Sequence, residues 1–296
     1  MAWDLDFISE EDFKAHVRAT IVKYGENLES YDLRKFNKNL VDPIKLIFDK
    51  SVYQSSWDEI VKNELFRQRD KSNNNEIGYF HQNIFAYFKG CEVPSAGWDV
   101  IYHNPEGIWI PDGEVVHTLY VEIKNKHNTL NSPATQKIYI KMQSQILNNK
   151  DCACFLVETI SSRSKNVIWN TSVDGSKVHH KLIRRVSMDQ FYSLITGEKD
   201  AFYRVCMALP DVINSIVKAE DNVVIPHDTV IQDLRKIASL CGCETEDLSM
   251  AIAIYMLGFS TYYGFEDRTE QIFGTGKNPK LKYIYDMIEQ IQEPEE

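Results

Sequence analysis

The chain has 296 residues, 43% of them apolar and 11% aromatic. That suffices for one large or two modest folded cores and sets it apart from a disordered polypeptide. No apolar run approaches the ~18–20 residues of a membrane-crossing helix, and residues 1–11 are polar and acidic, unlike a secretory leader, so a globular cytosolic protein is expected.

The net charge of −10 opposes any simple role as a polyanion binder, because phosphate contacts need cations. The charge is unevenly spread, however. Residues 121–186 hold 11 Lys or Arg against 4 Asp or Glu, a net of +7, while acid collects in residues 4–29 and 286–296. A basic middle between acidic flanks can form a local anion-attracting cleft. The six cysteines fit reduced thiols in a reducing compartment. Cys152/Cys154 and Cys241/Cys243 are C-x-C pairs, one of them inside an apolar strand pattern. Structural zinc sites favour C-x₂₋₄-C spacing, so small buried thiols are the better reading.

In chain order, residues 10–24 carry Phe13, Val17, Ile21 and Val22 at helical spacing, and 43–49 and 57–68 read as further helices. Asn73-Asn74-Asn75 predicts a loop, followed by a helix over 76–88. The centre changes period. Residues 97–103 and 108–110 read as strand, with a turn at Pro111-Asp112-Gly113. Residues 117–124 alternate Leu119, Val121 and Ile123 against Tyr120, Glu122 and Lys124, which predicts a strand. A polar loop, 125–132, leads into a helix over 133–147, with Ser132 expected as its cap and Pro133 in its first turn. Residues 152–159 form a continuous apolar strand. Strands over 166–173 and 178–186 follow, joined by an Asp174-Gly175 hairpin turn. Helices are expected over 188–195, 200–217, 228–240, 245–263 and 279–291. The predicted class is α/β: a mixed central sheet flanked by helices, with helical N- and C-terminal elaborations. It reads as one domain, with a helical region over 1–72, a core over 73–187 and a second helical region over 188–296.

The chemistry lies in the core. On a strand, Glu122 and Lys124 share one face while Ile123 turns to the other. A hairpin running from Asp99 back to Glu122 brings a second carboxylate to the same point. Two carboxylates and a few waters suit Mg²⁺, with Mn²⁺ as a substitute. A lysine ammonium beside them orients the attacking water and offsets phosphate charge, the requirements of metal-assisted phosphodiester hydrolysis. E-x-K alone is common surface alternation. Its setting argues for function here: an apolar strand, an upstream Asp, a following polar loop and helix, and Glu76 on a helix ahead. Asp112 competes with Asp99 by standing after a proline. At ~3.3 Å per strand residue, though, the tip of the turn lies on the order of 25–30 Å from Glu122, too far to share a metal.

Glu76, Gly97-Trp98-Asp99-Val100 and Val121-Glu122-Ile123-Lys124 resemble the core of the PD-(D/E)xK nucleases. The longer run Val121-Glu122-Ile123-Lys124-Asn125-Lys126-His127-Asn128-Thr129-Leu130-Asn131-Ser132, with the helix through Lys141-Met142-Gln143, is similar to type II restriction endonucleases that cut at GGNCC. The resemblance covers residues 76–159, and departs where Trp98 replaces the proline common in the superfamily. It implies a restriction-endonuclease-like fold and cleavage of double-stranded DNA to 5′-phosphate and 3′-hydroxyl ends. It further implies a homodimer on a near-palindromic site and a cognate DNA methyltransferase in the same cell. In that reading Asp99, Glu122 and the Ile123 carbonyl ligate Mg²⁺, and Lys124 positions the nucleophilic water. Glu76 holds a further water or a second ion, unless it is simply an acid favoured by the helix dipole.

Candidate DNA contacts follow the centre. Asn125, Lys126, His127, Asn128 and Asn131 offer amide, ammonium and imidazole groups to base edges or phosphates; the alternative is a solvated loop that caps the next helix. Lys137 and Lys141, one turn apart, are expected at phosphates. Arg184-Arg185 and His179-His180 either line the cleft or decorate a hairpin. Gly274-Thr275-Gly276-Lys277 lacks phosphate-loop spacing and reads as a linker. Two further readings stay open: a repair or junction nuclease with the same core, and a catalytically silent DNA-binding module.

Overall fold

In the computed structural model, the residues described are 3–111, 113–126, 131–219 and 226–259. Two compact units emerge, interleaved in sequence: residues 1–24 with 74–222, and 25–73 with 223–296.

The first unit is built on a six-stranded sheet. Its strands are β1 (Cys91–Glu92), β2 (Val100–Ile110), β3 (Glu114–Lys126), β4 (Cys152–Ile160), β5 (Asn166–Ile168) and β8 (Ile183–Ser187), in the order β1-β2-β3-β4-β8-β5. The β3/β4 and β4/β8 pairs are parallel and the others antiparallel, so the sheet is mixed, as expected. Helix α5 (Ser132–Asn148) makes the β3–β4 crossover. It covers one face with Tyr139 and Met142 against Cys154, Leu156, Trp169 and Ile183. The other face, with Val121, Ile123, Phe155 and Val157, packs against α1 (Glu10–Asn27), α6 (Met188–Thr196) and α7 (Ala201–Ala219). Burial on both faces explains why β4 reads as an unbroken apolar run.

Several boundaries differ from the sequence expectations. Helix α4 spans Trp57–Asn83 without the loop expected at 73–75 and ends in a 3₁₀ turn, Ile84–Tyr87. Asparagine costs a helix well under 1 kcal/mol per residue, and α4 is held by buried residues further along it, Leu65 before the triplet and Phe80 after it. The triplet instead straddles the boundary between the two units. The two strand segments expected before the turn form one strand, β2. In it residues 104–107 stand opposite the single residue His117, with Gly107 at φ +91°, where a Cβ would meet Val115. The long strands expected over 166–173 and 178–186 break up. The piece Asn166–Ile168 joins the sheet through β8, while β6 (Thr171–Val173) and β7 (Ser176–Val178) form a separate hairpin. Its turn, Asp174 at φ +48° and Gly175 at φ +79°, has the left-handed geometry that pattern favours. The cap of α5 is Asn131, whose Oδ1 accepts from the Ala134 N–H at 3.0 Å, and not Ser132, which is already helical.

The second unit is helical: α2 (Leu33–Asn37), α3 (Pro43–Tyr53), the first part of α4, α8 (Val230–Leu240) and α9 (Glu246–Phe259). Its own core joins Phe36, Leu46, Trp57 and Val61 to Leu234, Ile237, Ala253 and Leu257. Arg69 forks onto Asp228 and lies over Tyr31. The expected helix over 279–291, the last residues of the helix expected over 245–263 and the 274–277 linker fall outside the described residues.

Candidate active site

The site lies where β2 begins and β3 continues past it. The register pairs Val100 with Val121. Beyond that point β3 has no β2 partner, and Asp99 turns into the opening. It stands immediately before β2 and not on a strand, a correction to the sequence reading. Its N–H donates to the Val121 carbonyl at 3.0 Å. Its Oδ2 accepts from the Ile123 N–H at 2.7 Å, which anchors the carboxylate against β3. The alternation along β3 is as expected: Ile123 enters the core on one face, and Glu122 and Lys124 lie on the other.

Glu122 is buried and each of its oxygens has a lysine. Lys124 Nζ lies 3.6 Å from Oε2, and Lys141 Nζ contacts Oε1. Lys141 reaches down from α5, also donates to the Gly97 carbonyl and sits 3.9 Å over the Trp98 ring. Burial raises the Asp99 carboxyl above its ordinary value. The Ile123 N–H opposes that shift, the Glu122 charge adds to it, and Lys124 and Lys141 oppose it. The Glu122 charge acting on Asp99 places the two carboxylates in one electrostatic neighbourhood.

A hard divalent cation fits this donor set. Asp99 is tied to the residue next to Glu122, and the N–H and C=O of one strand residue face the same edge, so the Ile123 carbonyl opens on the edge where Asp99 lies. Among the described residues no group of three or more His, Cys, Asp or Glu side chains gathers as a metal site. The Ile123 carbonyl is a backbone oxygen on that same edge.

Glu76, on the last third of α4, is half-buried and is not drawn into an acidic group with Asp99 and Glu122. Asn125 ties the strand end to that helix, its Nδ2 donating to the Asn74 carbonyl at 3.4 Å. Lys126 and Lys137 are exposed. Asn131 spends its side-chain oxygen on the α5 cap. His127, Asn128 and the competing acid Asp112 lie outside the described residues. The turn that would carry Asp112 joins Ile110 to Glu114 at the far end of the hairpin from Glu122.

Arg184 and Arg185 part company. Arg184 is a buried clamp, donating to the Asn166 side-chain and main-chain oxygens at 2.5 and 2.8 Å and to the Lys181 and Pro111 carbonyls. Arg185 lies on the α5 face and donates to Glu158, the residue that pairs with Lys124 in register. Glu158 also takes Lys165 at 2.7 Å and the Ser161 hydroxyl at 3.0 Å. Burial pushes its pKa up, but these partners together hold it below the usual value. Sequence reasoning does not single out Glu158 or Lys165, although an acid closing a wholly apolar strand is a visible signal. Cys152 and Cys154 are buried under α5, their thiols near main-chain carbonyls of that helix.

Comparison with known proteins adds a lineage to this geometry. Residues 5–218, which include every member of the cluster, match the model of a family described as Eco47II restriction endonuclease. The chain is 32% identical over 223 residues to the type II restriction enzyme Sau96I of Staphylococcus aureus, an alignment covering 71% of this chain and 82% of that enzyme. It is 27% identical over 222 residues to the type II restriction enzyme Eco47II of Escherichia coli, covering 72% of this chain and 88% of the relative.

Proposed function

The chain belongs to the Eco47II restriction endonuclease family, and from that premise we propose that Asp99, Glu122 and Lys124 form the centre at which it hydrolyses double-stranded DNA at a short specific site. The observation that carries this reading is the Asp99–Ile123 hydrogen bond at 2.7 Å. It fixes a second carboxylate beside the Glu-x-Lys strand end, with a backbone oxygen on the same edge. Asp99, Glu122 and the Ile123 carbonyl hold Mg²⁺, for which Mn²⁺ can substitute. A divalent ion held by these residues would supply Lewis-acid polarisation of the phosphate and activation of an attacking water. Lys124 orients that water and meets the charge that grows on the phosphate. Glu76 holds a further water or a second ion.

The products are 5′-phosphate and 3′-hydroxyl ends, and GGNCC is the site to which the Lys124–Ser132 segment points. Asn125, Lys126, His127, Asn128 and Asn131 meet bases or phosphates, while Lys137 and Lys141 meet phosphates. The basic stretch over 121–186 attracts the duplex despite the acidic whole. One such carboxylate pair serves one strand, so two copies acting as a homodimer cut both. A cognate methyltransferase in the same cytoplasm protects the host DNA. Among the described residues no helix is long and apolar enough to cross a membrane.

The test is digestion of unmethylated phage DNA with Mg²⁺ or chelator, followed by sequencing of the fragment ends. Discrete metal-dependent fragments with one common end sequence are expected. Structure-dependent nicking would point to a repair nuclease on the same core. A folded protein that cuts in neither Mg²⁺ nor Mn²⁺ would be a silent DNA-binding module.

A further inference from the structure

The ammonium of Lys141 sits in a cage made of acceptors: a Glu122 carboxylate oxygen, the Gly97 carbonyl and the face of the Trp98 ring. Such a set attracts a cation, and α5 supplies one from its own length. Glu122 Oε1 cannot be held by an ammonium and donate fully to a divalent ion at once. At contact distance the repulsion between the two cations far exceeds thermal energy. Lys141 is also the member of the cluster best placed to withdraw. It is rooted on α5, across from the strand that carries Glu122, on a flexible four-carbon stem, and one of its three contacts is a π face, which holds charge without fixing direction. Lys124, by contrast, rises from the same strand as Glu122 and lies 3.6 Å from the other oxygen, Oε2.

We propose that Lys141 is an internal placeholder cation, which neutralises Glu122 until a divalent ion displaces it, with Trp98 as the perch that keeps it there. This rests on the reading of Asp99 and Glu122 as metal ligands. Displacement frees the ammonium at the rim of the centre, where a DNA phosphate can take it up. Metal loading and DNA binding therefore favour each other, and the free protein holds metal weakly. Trp98 thereby gains a purpose, since its ring face steadies the ammonium.

The test is calorimetric titration of the full-length protein with Ca²⁺ alone, without DNA, so that no turnover enters the readout. Lys141→Met keeps the stem and removes the charge; it is expected to bind Ca²⁺ about tenfold more tightly than the parent. Trp98→Leu loosens only the perch and is expected to tighten binding about two- to fivefold. Glu122→Gln serves as the control and is expected to abolish binding in every background. If Lys141→Met binds Ca²⁺ as the parent does or more weakly, while Glu122→Gln still abolishes binding, the placeholder is overturned and Lys141 merely steadies Glu122. If Glu122→Gln binds like the parent, the metal site itself is misassigned and the placeholder falls with it. A parallel thermal melt with and without Ca²⁺ checks that each variant is folded and should rank the variants in the same order.

Discussion

Replacing Asp99 with Asn separates a carboxylate kept for chemistry from one kept for structure. The amide oxygen can still accept the Ile123 N–H that Asp99 Oδ2 now holds at 2.7 Å. A neutral acceptor in place of a charged one weakens that bond by about 1 kcal/mol. Against this stands the cost of the charge itself. Burial, and after it the neighbouring Glu122, raise the Asp99 pKa above its ordinary 3.8. The folded state thus binds the Asp99 proton more tightly than the unfolded chain does. The stability this group contributes is complete below the unfolded value and is lost as pH rises through the folded one. At neutral pH the ionised carboxylate is a liability to folding, which the amide removes.

The two effects oppose each other, so Asp99→Asn should melt within a few degrees of the parent at neutral pH, or above it. Cleavage should behave quite differently. A metal-ligating carboxylate supports several kcal/mol of transition-state stabilisation, and at 1.36 kcal/mol per decade its loss slows cutting about a thousandfold or more. The assay pairs thermal melts at pH 7.5 with initial rates on unmethylated phage DNA in Mg²⁺. A variant that cuts within tenfold of the parent, or that melts far below it, would refute the assignment and make Asp99 a structural tie.

Glu158→Gln leaves Lys165 and Arg185 facing a neutral amide and should cost about 3 kcal/mol, read by urea unfolding, because one buried partner is removed from a charged cluster; an unchanged midpoint would show that the cluster is solvated. His16, buried against the Phe80 carbonyl, has its pKa lowered by burial from 6.5 to about 4. The unfolded chain therefore binds the extra proton between those values, and stability should fall by about 2 kcal/mol from pH 7 to pH 5. His81, lowered by burial and by the nearby His16, adds to the same slope, and a flat melting profile over that range would contradict both. Asn131→Ala should cost about 1 kcal/mol as a lost helix cap, whereas Ser132→Ala should be neutral in the same melts; the reverse order would restore Ser132 as the cap.

Much of the core is legible in the amino-acid order alone, because period-2 alternation is a local signal. The contrast of Val121 and Ile123 with Glu122 and Lys124 gives the strand, its faces and the carboxylate–lysine pair together. The return of the hairpin to Asp99 follows from counting residues through the turn at 111–113. Features that depend on distant partners cannot be read this way. The Asn73–Asn75 run looks like a loop because asparagine favours loops on average, and only tertiary packing carries α4 through it. Arg184 and Arg185 are adjacent and chemically alike. Opposite faces of β8 make one a buried clamp on the Pro111 and Lys181 carbonyls and the other a partner of Glu158. The helix position of Lys141 suggests a phosphate contact. Its engagement with Glu122 depends on how α5 lies across β3, which no window of sequence encodes.

The location of the proposed centre follows from a strand that stops. Antiparallel pairing between β2 and β3 ends at Val100–Val121, yet β3 runs five residues further, to Lys126, held on its other edge by β4. Along that stretch the backbone groups facing the missing neighbour need other partners. The Ile123 N–H finds the Asp99 carboxylate, and the Ile123 carbonyl faces the same gap. A continuous β2 would have satisfied both groups with its own backbone and left Asp99 no reason to turn inward. The off-register bond from the Asp99 N–H to the Val121 carbonyl marks where the strand gives way. The acidic pair, the backbone oxygen and the opening therefore share one origin, the staggered ends of two neighbouring strands. Insertions at the distant turn at 111–113 leave that stagger intact, whereas a one-residue slip of β2 against β3 would carry Asp99 away from Ile123 and dismantle the centre without altering any of its residues.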